Sequence, residues 1–220
     1  MTDMDLASAR DNMVEQQLRT WEVLNERVLG VLGQLARDQF APKSYRNLAY
    51  ADMQIPLAHG EVMLEPKVEG RILQALDPQP HDRALEIGTG TGFLTACLAQ
   101  LAQQVTSVDC HAEFTQQAMA TLSAQGVNNV DLISGDAALG WDDGRTYDVI
   151  AVTGSLPQLH QGFHHRLNQG GRLFVIVGQP PIMEAMLITR VDTDQWASES
   201  LFDTSAPALV GAPLTRHFAL

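Results

Sequence analysis

A Rossmann-like, doubly wound α/β sheet of seven strands with an N-terminal helical cap is the fold this sequence predicts. From His81 onward, short apolar runs alternate with helical stretches, the pattern of βαβ units whose crossovers cover a parallel sheet. The first apolar run ends in a glycine-rich turn, Gly88-Thr89-Gly90-Thr91-Gly92, where such a sheet binds its ligand. A chain of 220 residues suits one α/β domain with a sizeable core.

Met1 to about Gln39 reads as helix, with Val14, Leu18 and Trp21 spaced for one face and Val28, Leu32, Leu35 and Ala36 for another. Pro42 closes this region. Residues 45–66 hold Pro56, Gly60 and Pro66 and read as an extended, loop-rich segment. A short helix over Val68–Leu76 is closed by Asp77-Pro78 and Pro80. Then come a strand at 84–88 (ALEIG), an Ala/Leu-rich helix at 91–102, a strand at 105–109 (VTSVD) and a helix at 112–124. Three more strands follow at 130–134, 147–153 and 172–178, separated by helical or irregular stretches. MLITRV (186–191) and RHFAL (216–220) complete the sheet as a late hairpin on one edge. Residues 1–80 form the cap and substrate segment, and 81–220 the ligand-binding core, of one compact domain.

A composition that is 45% hydrophobic and 18% charged excludes the disordered class. The net charge of −12 repels phosphate backbones and anionic membranes, so neither nucleic acid nor membrane is an expected partner. A cationic ligand remains compatible with it. Cys97 and Cys110 cannot make a disulfide framework, and no zinc-ligand spacing exists, so no metal is expected. The polar, acidic N-terminus lacks a signal-peptide core, and no apolar run approaches the ~20 residues needed to span a bilayer. A cytoplasmic protein is expected.

The glycine turn carries the chemistry. A dinucleotide site expects G-x-G-x-x-G, but the position of that third glycine is Phe93, and Gly92 comes one residue early. Glu86, two places before the first glycine, would repel a pyrophosphate and attract an ammonium. Both departures favour S-adenosylmethionine over NAD. Asp109 ends the second strand about 20 residues further on, where a carboxylate accepts from ribose hydroxyls. Asp136 follows the third strand, where an acid can accept from an adenine amino group.

ALEIGTGTG, YDVIAVT and Gly170-Gly171 before a strand ending in Val177-Gly178 resemble the protein-L-isoaspartate O-methyltransferases. So do MVEQQLR (13–19), AYADMQIPLAHG (49–60) and VGAPL (210–214), which span nearly the whole chain in the family's order. The first motif is common to most class I methyltransferases; the segment at 49–66 and the VGAPL tail narrow the resemblance to this family. It implies carboxyl methylation of isoaspartyl residues in damaged proteins, a protein-repair activity dependent on S-adenosylmethionine. Around the cofactor it places Glu86, Gly88, Thr89, Gly90, Gly92, Asp109, Cys110, Asp136 and Ala137. It puts Asp52 and the Leu64 position at the reacting site, with Glu61, Val62, Met63, Glu65 and Pro66 bordering the substrate. His59 lies in the same segment, and Thr153 ends a strand at the sheet's ligand edge, which adds both to the residues expected at the substrate.

The chain departs from the family within that segment. Where the family carries glutamine and then threonine-isoleucine-serine-glutamine-proline, this chain has Glu61, Val62, Met63, Leu64, Glu65 and Pro66. Leu64 takes the serine position and offers no hydrogen bond. A carboxylate acceptor is already ionised at pH 7, so it needs orientation and desolvation rather than a general base. Glutamates facing such an anion oppose it, whereas glutamates facing solvent do not. Three readings stay open: an isoaspartyl protein or peptide as acceptor, methyl transfer to another acceptor such as a small molecule, and a protein that binds the cofactor without catalysis. An NAD-linked oxidoreductase is disfavoured by Phe93 and Glu86.

His160 and His164 have the i, i+4 spacing of a helical metal pair, with His165 beside them, but no third ligand is evident and a solvated helix is expected there. Trp141, between glycine and two aspartates, reads as a turn residue that could flank the adenine. Ser155 lacks the G-x-S-x-G context of a nucleophile. Oligomeric state is not readable.

Overall fold

The structure is a computed structural model and describes residues 3–213. Helix α1 spans Asp3–Asn12 and continues into a wider turn at Met13–Leu18 and a tight one at Arg19–Trp21. The single long helical region expected to Gln39 is interrupted here. Glu22 adopts a left-handed conformation (φ 60°), and the Asn25 side chain accepts from the Arg27 and Val28 amides to start α2 (Glu26–Gln34) afresh. An N-cap of this kind satisfies donors that a helix start leaves orphaned. The loop-rich stretch that follows contains the two-residue strands β1 (Ile55–Pro56) and β2 (Val62–Met63), paired antiparallel. Helix α3 (Pro66–Leu76) begins two residues earlier than expected, on a proline suited to a first helical turn.

The sheet elements follow as β3 (Arg83–Ile87), α4 (Phe93–Leu101), β4 (Gln104–Asp109), α5 (Ala112–Ala124), β5 (Val130–Ser134), β6 (Tyr147–Leu156), β7 (Leu167–Gln179), β8 (Ile182–Asp192) and β9 (Gln195–Thr204). Among the described residues these make a seven-stranded sheet of order β5-β4-β3-β6-β7-β8-β9. The first five strands are parallel; β8 and β9 are antiparallel to their neighbours. Chain order runs outward from β3 in one direction and from β6 in the other. A switch point, where crossovers diverge and leave a crevice, therefore lies between β3 and β6.

The sheet's two faces are covered differently. One carries Ala84, Val105, Val149, Ala151, Phe174 and Ile176 and packs under α2, α3, α4 and α5. The other carries Leu85, Ile87, Val108, Ile150, Val152 and Val175 and is covered by Ala137 and Phe163 from irregular connections. Residues 135–146 contain no helix, and 157–166 contain only a tight turn at His164–Arg166.

The hairpin expected at the sheet's edge is present, but its second strand is β9, which the sequence pattern did not reveal. As an edge strand β9 exposes Ser198, Glu199 and Ser200, which breaks the apolar alternation. The strand expected at 216–220 lies outside the described residues. No helix among the described residues is long and apolar enough to cross a membrane.

Candidate active site

The carboxyl ends of β3, β4, β5 and β6 converge on one open cleft, lined among others by Ile87, Asp109, Asp136 and Thr153. Its floor is the glycine turn. Gly88 has φ +100°, and a Cβ there would meet the Thr153 hydroxyl at 2.2 Å, so only glycine fits. That hydroxyl donates to the carbonyls of Ile87 and Gly88, 2.9 and 3.0 Å away, which pins the turn to β6.

Asp109, at the end of β4, is nearly buried. One carboxylate oxygen accepts from the Gly90 amide at 3.0 Å and the other from the His111 amide at 2.9 Å. The same side chain therefore holds the glycine turn and the start of α5. Cys110 and Ala137 line the cleft beside it, and Asp136, whose Oδ1 accepts from the Ala138 amide, lies at the far wall. The tail closes one side: the Ser155 amide donates to Pro207 O and the Leu209 amide to Ser155 O, which places Pro207, Leu209 and Val210 on the lining.

From the N-terminal part, the stretch that borders the cleft is Leu57, Glu61, Val62 and Leu64. Glu61 is half-buried, and that burial holds its carboxyl above the usual range, opposed by His111 and reinforced by Asp109. Across the mouth the rings of His59 and His111 stack at 4.1 Å, with Phe114 edge-on to both. His59 Nε2 reaches Glu113 at 3.2 Å, and His59 sits at φ 60°. Left-handed backbone at a non-glycine residue is held only by its surroundings, here that stack and pair.

Residues 8–205 match the family model for protein-L-isoaspartate(D-aspartate) O-methyltransferase. The chain belongs to this family. The protein-L-isoaspartate O-methyltransferase 1 of Rhodopseudomonas palustris (strain HaA2) is 35% identical over 206 residues, covering 93% of this chain and 84% of that one. That of Koribacter versatilis (strain Ellin345) is 34% identical over 202 residues, covering 92% and 90%. A Plasmodium falciparum chain assigned as a beta-aspartate methyltransferase, crystallised with S-adenosyl-L-homocysteine, superimposes with a TM-score of 0.77 over 93% of this chain and 97% of its own. At 18% identity that likeness is one of fold. The family, the fold class and the O-methyltransferase activity expected from the sequence are all met.

Of the residues expected from the sequence, Gly88, Gly90, Asp109, Cys110, Asp136, Ala137, Thr153, Glu61, Val62 and Leu64 share the cleft. Others do not. Asp52, expected at the reacting site, is in an ion pair with Lys67 at 2.9 Å and is not on the lining. Glu65 takes a hydrogen bond from Gln54, and Pro66 starts α3; neither lines the cleft. Met63 alternates inward from Val62 into the core. His59 stacks on His111, which is on the lining, and is not itself part of it. Thr89 is buried against Ser107, and Gly92 caps α4.

Glu86 also departs from expectation: it is fully buried beneath the turn, and its Oε2 accepts from the hydroxyls of Thr95 (2.5 Å) and Ser107 (2.6 Å). Among the described residues its Oε1 has no partner, and the residue lines a smaller adjoining cavity that shares Val62, Leu64, Gly88, Gly90 and Thr153 with the main cleft. Burial pushes its carboxyl up to about 8, against the lowering effect of the two hydroxyls. A carboxyl raised by folding contributes stability that is full below its unfolded value near 4.5 and lost as pH rises through about 8. Wild-type stability is therefore expected to fall between pH 5 and 8, and Glu86→Gln to flatten that slope in urea denaturation. Glu69, raised by burial to about 7, leaves a residual slope of the same sign. An unchanged slope in the variant would show that Glu86 is ionised in the folded protein.

The histidines at 160–165 lie on a loop with one tight turn rather than on a helix, and His164 is buried rather than solvated. Trp141 packs against Gly135. His111 and Phe114 were not singled out from sequence, and the tail was read as a family motif, not as cleft wall. The signal for His111 was its place two residues after Asp109, and for the tail wall the VGAPL stretch itself.

Proposed function

We propose that this protein methylates the free carboxylate of isoaspartyl residues in proteins and peptides, with S-adenosylmethionine as methyl donor. What supports the reading most is the convergence of Gly88, Gly90, Asp109, Cys110, Asp136 and Ala137 on one cleft at the sheet's switch point. The donor's chemistry fits these residues. Asp109 and Asp136 offer acceptors for ribose and adenine groups, and the buried Oε1 of Glu86, without a partner among the described residues, offers one for an ammonium once that cation ionises the carboxyl. When bound, S-adenosylmethionine supplies an electrophilic methyl group on a sulfonium.

This chain's own residues orient and desolvate the acceptor. Leu57, Val62 and Leu64 present an apolar wall to the cleft, which strips water from a carboxylate that is already ionised and needs no base. Glu61 is the residue that opposes an anion there, and its burial weakens that opposition by favouring its neutral form. Family membership favours the isoaspartyl acceptor over the others that the altered 61–65 segment left open.

Two peptides of one sequence, differing only in an isoaspartyl or aspartyl linkage, test this with methyl-labelled donor. Base-labile label is expected on the isoaspartyl peptide alone; label on neither would overturn the acceptor assignment. Leu64→Ser restores a hydroxyl at the cleft wall and is expected to raise kcat/KM for that peptide about tenfold, the worth of one hydrogen bond to a charged group. Glu65→Gln, off the cleft, is expected to leave it unchanged. Equal responses from the two variants would show that the Leu64 wall does not face the acceptor.

A further inference from the structure

The cleft wall formed by residues 135–138 has no helix to hold it, since the connection from β5 to β6 is irregular throughout. It leans instead on the next irregular connection, from β6 to β7. The two turns meet backbone to backbone: a Cβ on Gly162 would lie 1.9 Å from Leu139 O, and one on Gly140 2.5 Å from Gly162 O. The imidazole of His160 spans the junction, with Nε2 2.9 Å from Ala138 O and Nδ1 3.1 Å from the Gly162 nitrogen. Gly162 has only an N–H to give, so Nδ1 accepts, and the ring is the neutral tautomer whose Nε2–H donates to Ala138 O. The ring rests against Phe163, which is fully buried, at 5.4 Å between centroids. An ion pair between Arg166 and Asp142 ties the same two connections a second time.

We infer that His160 is a positioning residue for the methyl donor. It fixes the turn carrying Asp136, Ala137 and Ala138, and so sets the adenosine side of the cleft, without touching the ligand. The inference rests on the cofactor reading above. A lysine or arginine could not replace this ring, because neither can accept from Gly162.

Calorimetry with S-adenosylhomocysteine on the full chain tests it, alongside steady-state kinetics. His160→Ala is expected to raise the Kd, and KM for S-adenosylmethionine, about tenfold, as expected for two lost backbone hydrogen bonds. KM for the isoaspartyl peptide and kcat should stay within about twofold of wild type. His160→Gln, whose side-chain amide reaches Ala138 O, should recover most of the loss. A Kd within twofold of wild type in both variants would overturn the assignment. So would a loss in both that simply follows a fall in Tm, since that is a structural role alone. Wild-type protein with no affinity for S-adenosylhomocysteine would instead sink the cofactor reading, a result separable from the variants' behaviour.

Discussion

Arg37→Ala is expected to destabilise the protein by about 3–5 kcal/mol, the usual consequence of removing one partner from a buried charged pair. Arg37 has no exposed surface. Its guanidinium donates to Ala49 O at 2.7 Å and to Leu64 O at 2.5 Å, pairs with the Glu69 carboxylate, and lies 4.9 Å over the Phe93 ring. One side chain therefore joins the 49–50 loop, the cleft-bordering 62–64 stretch, α3 and α4. Its loss strands Glu69 in the core, where burial already pushes that carboxyl up to about 7 despite the cation beside it. The alanine variant's Glu69 must therefore take up a proton to stay buried. Two carbonyls lose their donor as well, and their cost is part of the same ~3–5 kcal/mol, since water reaching either one lowers it. For a chain of this size the Tm should fall by roughly 10 °C.

Arg37→Met with Glu69→Leu should recover much of that stability, because an apolar pair of similar volume removes the stranded charge. It should not restore the Leu64 anchor. The double variant is expected to show a raised KM for the isoaspartyl peptide at a Tm between those of Arg37→Ala and wild type. Equilibrium urea denaturation of both variants, with peptide kinetics on the second, decides the matter. A loss below about 1 kcal/mol for Arg37→Ala would mean that water enters and solvates Glu69.

The parallel sheet was legible because buried strands on both faces read as continuous apolar runs, and because glycine marks the turn after β3. The helix over 112–124 and the strand over 130–134 fall where expected. The edge strand β9 was not legible, since one of its sides faces water and carries acid and serine. The long N-terminal helix divides at Glu22 and Asn25, a boundary set by one left-handed residue and one capping side chain that periodicity alone does not show. In the site, the residues on strand ends were readable because topology brings strand ends together. Asp52, Glu65 and His59 lie off the cleft lining, and a loop without periodicity gives no rule for which side chains turn inward. Arg37 gave no signal, as a buried arginine is identified only by the carbonyls around it. The histidines at 160 and 164 had helical spacing, but the connection that holds them packs at Gly162 against the backbone of Leu139, a tertiary contact that spacing does not reveal.

Asp109→Ala is expected to raise the Kd for S-adenosylhomocysteine by about 100-fold or more. The carboxylate's outward lone pairs would accept from ribose hydroxyls in the proposed pose, and two charge-assisted bonds at roughly 1.5–3 kcal/mol each give that range. The same side chain accepts from the amides of Gly90 and His111, so its loss also frees the glycine turn from α5 and leaves the His111 ring less fixed against His59. Asp109→Asn separates the two contributions. Its amide keeps one acceptor oxygen but turns an N–H₂ group toward either Gly90 or His111, so a smaller rise of about tenfold is expected. These contacts concern a part of the donor that does not change during transfer, so they contribute equally to the ground and transition states. The variants should therefore raise KM for S-adenosylmethionine while leaving kcat at saturation nearly intact. A fall in kcat with unchanged KM would place Asp109 beside the reacting methyl instead, and binding within about tenfold of wild type for the alanine variant would remove it from the cofactor's contacts altogether.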